Sequence, residues 1–261
     1  MTPEQLIARI LFQDANLIIL DKPAGLAVHG GPKTPHHLEA MLGSLRFGLA
    51  QPPRPAHRLD RDTAGCLLLA RHDKAARRLG RLFSAGLIEK CYWAVVQGEV
   101  PGDDGVIDLA LAKVSTARDG WRMVPDAAGQ RARTRWRRLG AARGLSWLEL
   151  EPETGRTHQI RVHCAAGLGC PILGDPVYGR GEGLLHLQSH RIGVPYWADR
   201  PPITAQAPSP PHMDAALRLC GAREAASAAD WPIEGPAATT ERKRRREAED
   251  SQVGQSPTPG A

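Results

Sequence analysis

Apolar residues along the 261-residue chain fall into short runs punctuated by glycine- and proline-rich turns. The run at 16–20 predicts a strand, and Lys22-Pro23-Ala24-Gly25 after it is turn chemistry. Upstream, Thr2-Pro3-Glu4-Gln5 predicts a helix start, with Pro at the first helical position and a Thr/Gln capping pair. Over 36–47, Leu38, Met41, Leu42 and Leu45 recur at helical spacing and predict an amphipathic helix. A loop at 51–55 leads into a turn at His57-Arg58-Leu59-Asp60 and the apolar strand Cys66 to Ala70. Ala75, Leu79, Leu82 and Phe83 line one side of a helix that Asp73 caps and Gly86 ends, with a basic opposite side. Strands are predicted at 91–97, 106–112, 131–139 and 145–151. A helix opens at Thr154-Gly155-Arg156-Thr157 and reaches about Ala166, and strand-like pieces continue to about residue 207. Strands and helices mix without a regular βα repeat, which predicts an α+β fold with a mixed, mostly antiparallel sheet and flanking helices.

Composition narrows the class. Hydrophobic residues are 42% and charged residues 24%, the ordinary globular balance. The 27 glycines show no three-residue period, which excludes collagen. Apolar runs such as Leu17 to Leu20 are far too short to span a bilayer. The five cysteines (Cys66, Cys91, Cys164, Cys170, Cys220) form no CxxC pair and point to reduced thiols of a cytoplasmic protein rather than disulfides or structural zinc. Met-Thr-Pro-Glu-Gln at the start lacks the basic and apolar regions of a secretion signal. The main domain is expected over 1–212. An Ala-rich helical extension is expected over 213–231. Residues 232–261 hold five bases, five acids and almost nothing apolar, and predict a disordered tail.

The net charge of +6 is a mild pull toward polyanions. Basic residues concentrate at 54–82 and again at 116–145. In the second stretch Arg131, Arg133, Arg135 and Arg137 alternate with other residues, so an extended strand would line up four guanidinium groups. A solvated outer face and a phosphate-facing stripe fit that pattern equally well.

Common enzyme signatures are absent: there is no phosphate-binding GxxxxGK loop, no HExxH and no GxSxG. His158 and His163 would point about 140° apart on a helix, which is poor for chelation, so no metal site is expected. What remains are acids in basic surroundings. Asp60 lies between Arg58 and Arg61, with Asp62 two residues on. A carboxylate kept ionised by arginine can act as nucleophile or base without a metal. Either Asp could equally cap a turn, and spacing alone leaves the choice open.

His57-Arg58-Leu59-Asp60-Arg61-Asp62-Thr63-Ala64-Gly65 resembles the HRLDxxTSG signature of the RluA-type pseudouridine synthases, with Ala64 in place of the usual Ser. Asp21 to Leu26 resembles that family's KPxGL segment, and Lys90 to Val96 its KxYxAxV strand. Gly155 to His163 followed by Pro171 to Asp175 resembles its GRTHQxRVH and PIxGD run. The match covers roughly residues 9–212. The resemblance implies the family's fold with a central RNA-binding cleft, in a compact member without the separate N-terminal RNA-binding domain of some relatives. It implies that Asp60 is the catalytic aspartate, that Tyr92 lies against the target base, and that Arg161 partners Asp60. The reaction implied is isomerisation of uridine to pseudouridine in RNA, with neither cofactor nor metal. Arg58 matches the position that fills the place of a flipped base. Arg61, the helix carrying Arg77 and Arg78, and the strand carrying Arg133 and Arg135 would then meet RNA. The expected partner is structured ribosomal or transfer RNA, acted on by a monomer, with no DNA or membrane. Two alternatives stand beside this: a non-catalytic RNA-binding protein or RNA chaperone with the same fold, and a glycosidase or nucleosidase, which would need two opposed carboxylates.

Overall fold

A computed structural model describes residues 1–32, 34–116 and 120–222, so the expected tail and residues 223–231 lie outside the described residues. In chain order the elements are α1 (Pro3–Ile7), β1 (Ile10–Gln13), β2 (Leu17–Lys22), a 3₁₀ helix (Leu38–Leu45), β3 (Arg54–Pro55), β4 (Ala64–Ala70), α2 (Asp73–Ser84), β5 (Glu89–Gln97) and β6 (Asp104–Asp108). There follow β7 (Leu111–Thr116), β8 (Gly120–Pro125), β9 (Arg133–Ala142), β10 (Leu145–Pro152), α3 (Gln159–Val162), a wider helical turn (His163–Gly167), β11 (Leu187–Val194), β12 (Ile203–Gln206) and α4 (Pro211–Leu219).

The main sheet runs β1-β2-β4-β11-β5-β10-β9-β6, with β3 on β4 and β12 on β11. Its pairings are antiparallel except β4 with β11, which is parallel. The sheet is therefore mixed and mostly antiparallel, as the element order predicts. Leu17–Leu20 of β2 and the whole of β4 read as unbroken apolar runs because both of their faces are covered. Alternate residues go to opposite sides. Ile18, Leu20, Leu67, Leu69, Tyr92, Ala94 and Val96 face a core completed by Leu6, by Leu38, Leu42 and Leu45 of the 3₁₀ helix, and by Ile160. Leu17, Ile19, Cys66, Leu68 and Ala70 face the other way, onto Ala75 and Leu79 of α2. Val95 and Trp147 pack on Met213, Ala216 and Leu217 of α4. One face of the sheet thus carries α2 and α4, and the opposite face carries Tyr92 and α3.

Several expectations change in detail. The capping box of Thr2 and Gln5 forms. The predicted amphipathic helix over 36–47 is a 3₁₀ helix, with the Ser44 hydroxyl donating to the Met41 carbonyl at 2.9 Å in competition with the α-helical ladder. His72, not Asp73, caps α2: its Nδ1 accepts the Ala75 N–H, while Asp73 is the first helical residue and pairs with Arg54. The strand predicted at 106–112 is two strands in two sheets, because the chain passes from β6 into a separate hairpin, β7–β8. The helix predicted from 154 to 166 starts only at Gln159. Before it, the Gln159 amide oxygen accepts from the Thr154 hydroxyl and the Arg156 N–H, holding 154–157 as a loop. The boundary expected at residue 212 falls inside α4.

Gly65 fixes the parallel step. It sits opposite Ser189 of β11 with φ 102°, and a Cβ there would run into the Ser189 carbonyl. Replacing it with alanine combines left-handed backbone strain and a backbone clash, together about 2 kcal/mol or more. Gly65→Ala is expected to lower Tm by about 5 °C or more in a thermal melt. An unchanged Tm would show that the β4–β11 step can open at little cost.

Candidate active site

The residues of the HRLD segment, between β3 and β4, enter different surroundings. His57 Nε2 accepts the Leu68 N–H at 3.0 Å, and its ring lies against Phe83. Burial pushes the His57 pKa down to about 3, which keeps the ring in the neutral form that this bond needs. Leu59 enters the core. Arg58 and Asp60 face a pocket on the Tyr92 side of the sheet. A turn closes beyond Asp60, with the Thr63 N–H on the Asp60 carbonyl at 3.2 Å.

Lys22 locks that turn from behind. Its fully buried ammonium donates to the carbonyls of Pro23, Leu26 and Arg61 at 2.8, 2.8 and 3.0 Å. Burial draws its pKa down to about 7, opposed by the carboxylates of Asp62 and Asp60. The KPAGL segment and the turn carrying Asp60 are therefore one unit, although 39 residues separate Lys22 from Arg61.

The facing wall comes from 154–161. The Gln159 side chain donates to the Arg133 carbonyl and the Thr134 hydroxyl, both at 3.0 Å, anchoring α3 on β9. His163 is fully buried, with its ring nitrogens on the Thr134 hydroxyl and the Leu109 carbonyl. His158 takes a left-handed backbone, φ 54°, a conformation that costs a non-glycine residue roughly 1–2 kcal/mol. The turn sets its Nε2 3.8 Å from Asp60 Oδ2 and its Nδ1 2.9 Å from the Tyr178 hydroxyl. Burial lowers the His158 pKa and Asp60 opposes that shift, so the ring is neutral near pH 7.

Arg161 stands at the centre. Its Nε and Nη2 both donate to Asp175 at 2.8 Å, a two-bond fork in which the arginine side chain is 7% exposed and the aspartate is fully buried. The remaining nitrogen, Nη1, lies 3.5 Å from Asp60 Oδ2. The sequence expectation made Asp60 the partner of Arg161. The structure gives Asp175 the paired edge of the guanidinium and Asp60 the free corner. Asp175 also accepts the backbone N–H groups of Val177 and Tyr178. Burial alone would push its carboxyl up, but the Arg161 fork and these N–H donors hold it below the usual carboxylate range.

Tyr92, from β5, lines the same pocket as Asp60, with Lys90 and Leu187 nearby. Burial pushes the Tyr92 phenol well up, so the ring is neutral. Lys90 places its ammonium on the Thr154 carbonyl at 3.3 Å, and burial draws its pKa down to about 8. Asp60, Tyr92, Arg161 and Arg58 therefore meet around one pocket. Asp62 does not line it, and its carboxylate is held by the exposed Arg61 next to it in the chain.

The other expected RNA-contacting arginines lie elsewhere. Arg77 and Arg78 ride on α2, on the opposite face of the sheet, and the Arg78 guanidinium lies over Tyr196 and Trp197. β9 begins at Arg133, and its arginines are engaged within the fold: Arg133 and Arg135 by Glu153, and Arg137 by Glu149. Asp175, His158, Lys22 and Tyr178 received no role from the sequence. Asp175, His158 and Lys22 carried a signal, since all three fall within the quoted motifs, whereas Tyr178 lies outside them. Among the described residues no cluster of His, Cys, Asp and Glu has the geometry to hold a metal ion.

Comparison with known proteins bears on the family of the chain. Residues 16–166 match the family described as RNA pseudouridylate synthase. An uncharacterised RNA pseudouridine synthase of Zymomonas mobilis is 48% identical over 209 residues, spanning 78% of this chain and 95% of that protein. The ribosomal large subunit pseudouridine synthase D of the same organism is 36% identical over 193 residues, covering 70% of this chain and 60% of its own length. Among solved structures, human RNA pseudouridylate synthase domain containing 4 superposes with a TM-score of 0.71 at 28% identity, covering 84% of this chain and 95% of that one.

The Arg161–Asp175 pair gives a pH-dependent test. Removing one partner of a buried ion pair costs about 3–5 kcal/mol, so Asp175→Asn should lower Tm at pH 7 by about 10 °C. The Asp175 pKa lies below its ordinary 3.8 in the folded chain. Its contribution to stability is therefore complete above about pH 5 and is lost as pH falls through 3.8 and below. The Tm gap between wild type and variant should hold constant down to about pH 5 and narrow from there to pH 3. A gap of constant size would show that Asp175 is not an ionised partner.

Proposed function

The chain belongs to the RluA-type RNA pseudouridine synthases, and we propose that it isomerises uridine in ribosomal or transfer RNA with Asp60 as the catalytic carboxylate. The observation that carries the proposal is the placement of Asp60: in the pocket, 3.5 Å from a guanidinium that is itself fixed on Asp175. In the reaction the uridine N1–C1′ bond breaks, the uracil turns, C5 bonds to C1′, and the C5 proton is lost while N1 gains one. Asp60 either attacks C1′ or removes the 2′ proton. Arg161 is oriented so that Nη1 can follow the carboxylate through either route without giving up its fork. The neutral Tyr92 ring offers a stacking surface for uracil in the pocket. Arg58, which lines the pocket and is exposed, would occupy the place of a base that has swung out of its helix, a movement costing a few kcal/mol. A ribosomal target is supported by the large-subunit synthase relative.

Substitution of Asp60 and Asp62 separates chemistry from binding. Asp60→Asn keeps the shape and removes one negative charge facing a polyanion. It should bind RNA at least as well as wild type and form no pseudouridine, while Asp62→Asn should retain measurable activity. The readouts are pseudouridine mapping in cellular RNA with and without the gene, and filter binding across a salt series, in which affinity should fall as salt rises. Pseudouridine formation by Asp60→Asn together with its loss in Asp62→Asn would reverse the assignment. Wild type that binds RNA but modifies none of its own cell's uridines would establish the non-catalytic alternative.

A further inference from the structure

Strand alternation puts Leu111, Lys113, Trp121 and Met123 on one face of the β7–β8 hairpin, the face turned toward the body of the protein. Leu111 and Met123 are buried there with Ala132 and Val162. The Met123 N–H also donates to the Tyr178 hydroxyl at 3.0 Å, which ties the base of the hairpin to the same hydroxyl that meets His158. Trp121 lies one step further toward the tip, beyond that small core. It is 44% exposed, and its ring centroid is 5.0 Å from that of His158, the residue whose Nε2 borders Asp60. The exposed Lys113 places its ammonium 4.9 Å from the indole centroid. Trp121, the most exposed tryptophan among the described residues, therefore stands beside His158 of the pocket without itself lining it, with the exposed Lys113 next to its ring.

We propose that Trp121 is a specificity-determining residue: it stacks the nucleobase next to the target uridine in the RNA chain, with Lys113 meeting that nucleotide's phosphate. The inference rests on the pseudouridine synthase reading of the site. Arg58 fills the place that the target uridine leaves, while a neighbour drawn toward the pocket with that uridine loses its own stack, and the indole supplies a replacement. Lys113 can leave the ring for a phosphate at little cost, because an exposed cation–π contact is weak. Stacking strength grows with the size of the base, so the neighbour should be a purine.

The test uses a short RNA carrying a uridine mapped as modified, made with [5-³H]uridine so that isomerisation releases tritium. Wild type, Trp121→Ala and Trp121→Phe are compared on this RNA and on versions abasic at each neighbour of the target. Trp121→Ala should raise KM about tenfold with kcat changed less than threefold, and Trp121→Phe should recover most of the loss. One abasic neighbour should raise the wild-type KM by a similar factor and add nothing to the loss in Trp121→Ala. The inference is overturned if Trp121→Ala matches wild type, if the two losses multiply, or if kcat falls while KM holds, since Trp121 would then act only through His158. A wild type that releases no tritium from any RNA of its own cell is a different result, which overturns the assigned function and this inference with it.

Discussion

The buried fork between Arg161 and Asp175 is the constraint on which the site depends. A guanidinium with 7% of its side chain exposed needs a paired anion, and Asp175 supplies one with two 2.8 Å bonds and two backbone N–H donors of its own. With one edge fixed, the other end of the guanidinium has a single direction, toward Asp60. The loop 171–178 that carries Asp175 also delivers Tyr178, whose hydroxyl receives the Met123 N–H and meets His158. One ion pair thus sets the positions of the arginine, the histidine and the foot of the β7–β8 hairpin together.

Asp60 is held from the other side by a second buried cation with a different job. Lys22 has no carboxylate within hydrogen-bond reach in the described structure; its three bonds go to carbonyls, one of them in the turn just after Asp60. Arg161 faces the carboxylate directly, while Lys22 fixes the backbone that carries it. The division follows side-chain chemistry. A planar fork can share itself between two acids, and a compact ammonium suits a cage of carbonyl oxygens.

Much of this was legible in the sequence, for identifiable reasons. The runs 16–20 and 66–70 announced strands, because a strand covered on both faces carries an apolar run rather than an alternating one. Asp60, Tyr92 and Arg161 were found through motif resemblance, and the fold brings them to one pocket. Asp175 lay in a quoted motif, yet no spacing rule couples a loop acid to an arginine 14 residues before it. The β7–β8 hairpin was missed because Leu109 to Ala112 continues the apolar run of β6 across the point where the chain changes sheets. The arginine row showed the limit of charge counting: Arg133, Arg135 and Arg137 share β9 while Arg131 precedes it, and Glu149 of β10 and Glu153 just after it take up the three on the strand, a pairing visible only in three dimensions.

The central claim is that geometry, not charge alone, makes Arg161 serve Asp60. The most direct measurement is single-turnover pseudouridine formation by Arg161→Lys beside its RNA affinity. Lysine keeps the positive charge but cannot bond Asp175 through two parallel donors and still reach Asp60. Turnover should fall by about a hundredfold or more, with affinity for RNA within threefold of wild type. Turnover near the wild-type value, or a loss confined to affinity, would contradict the account.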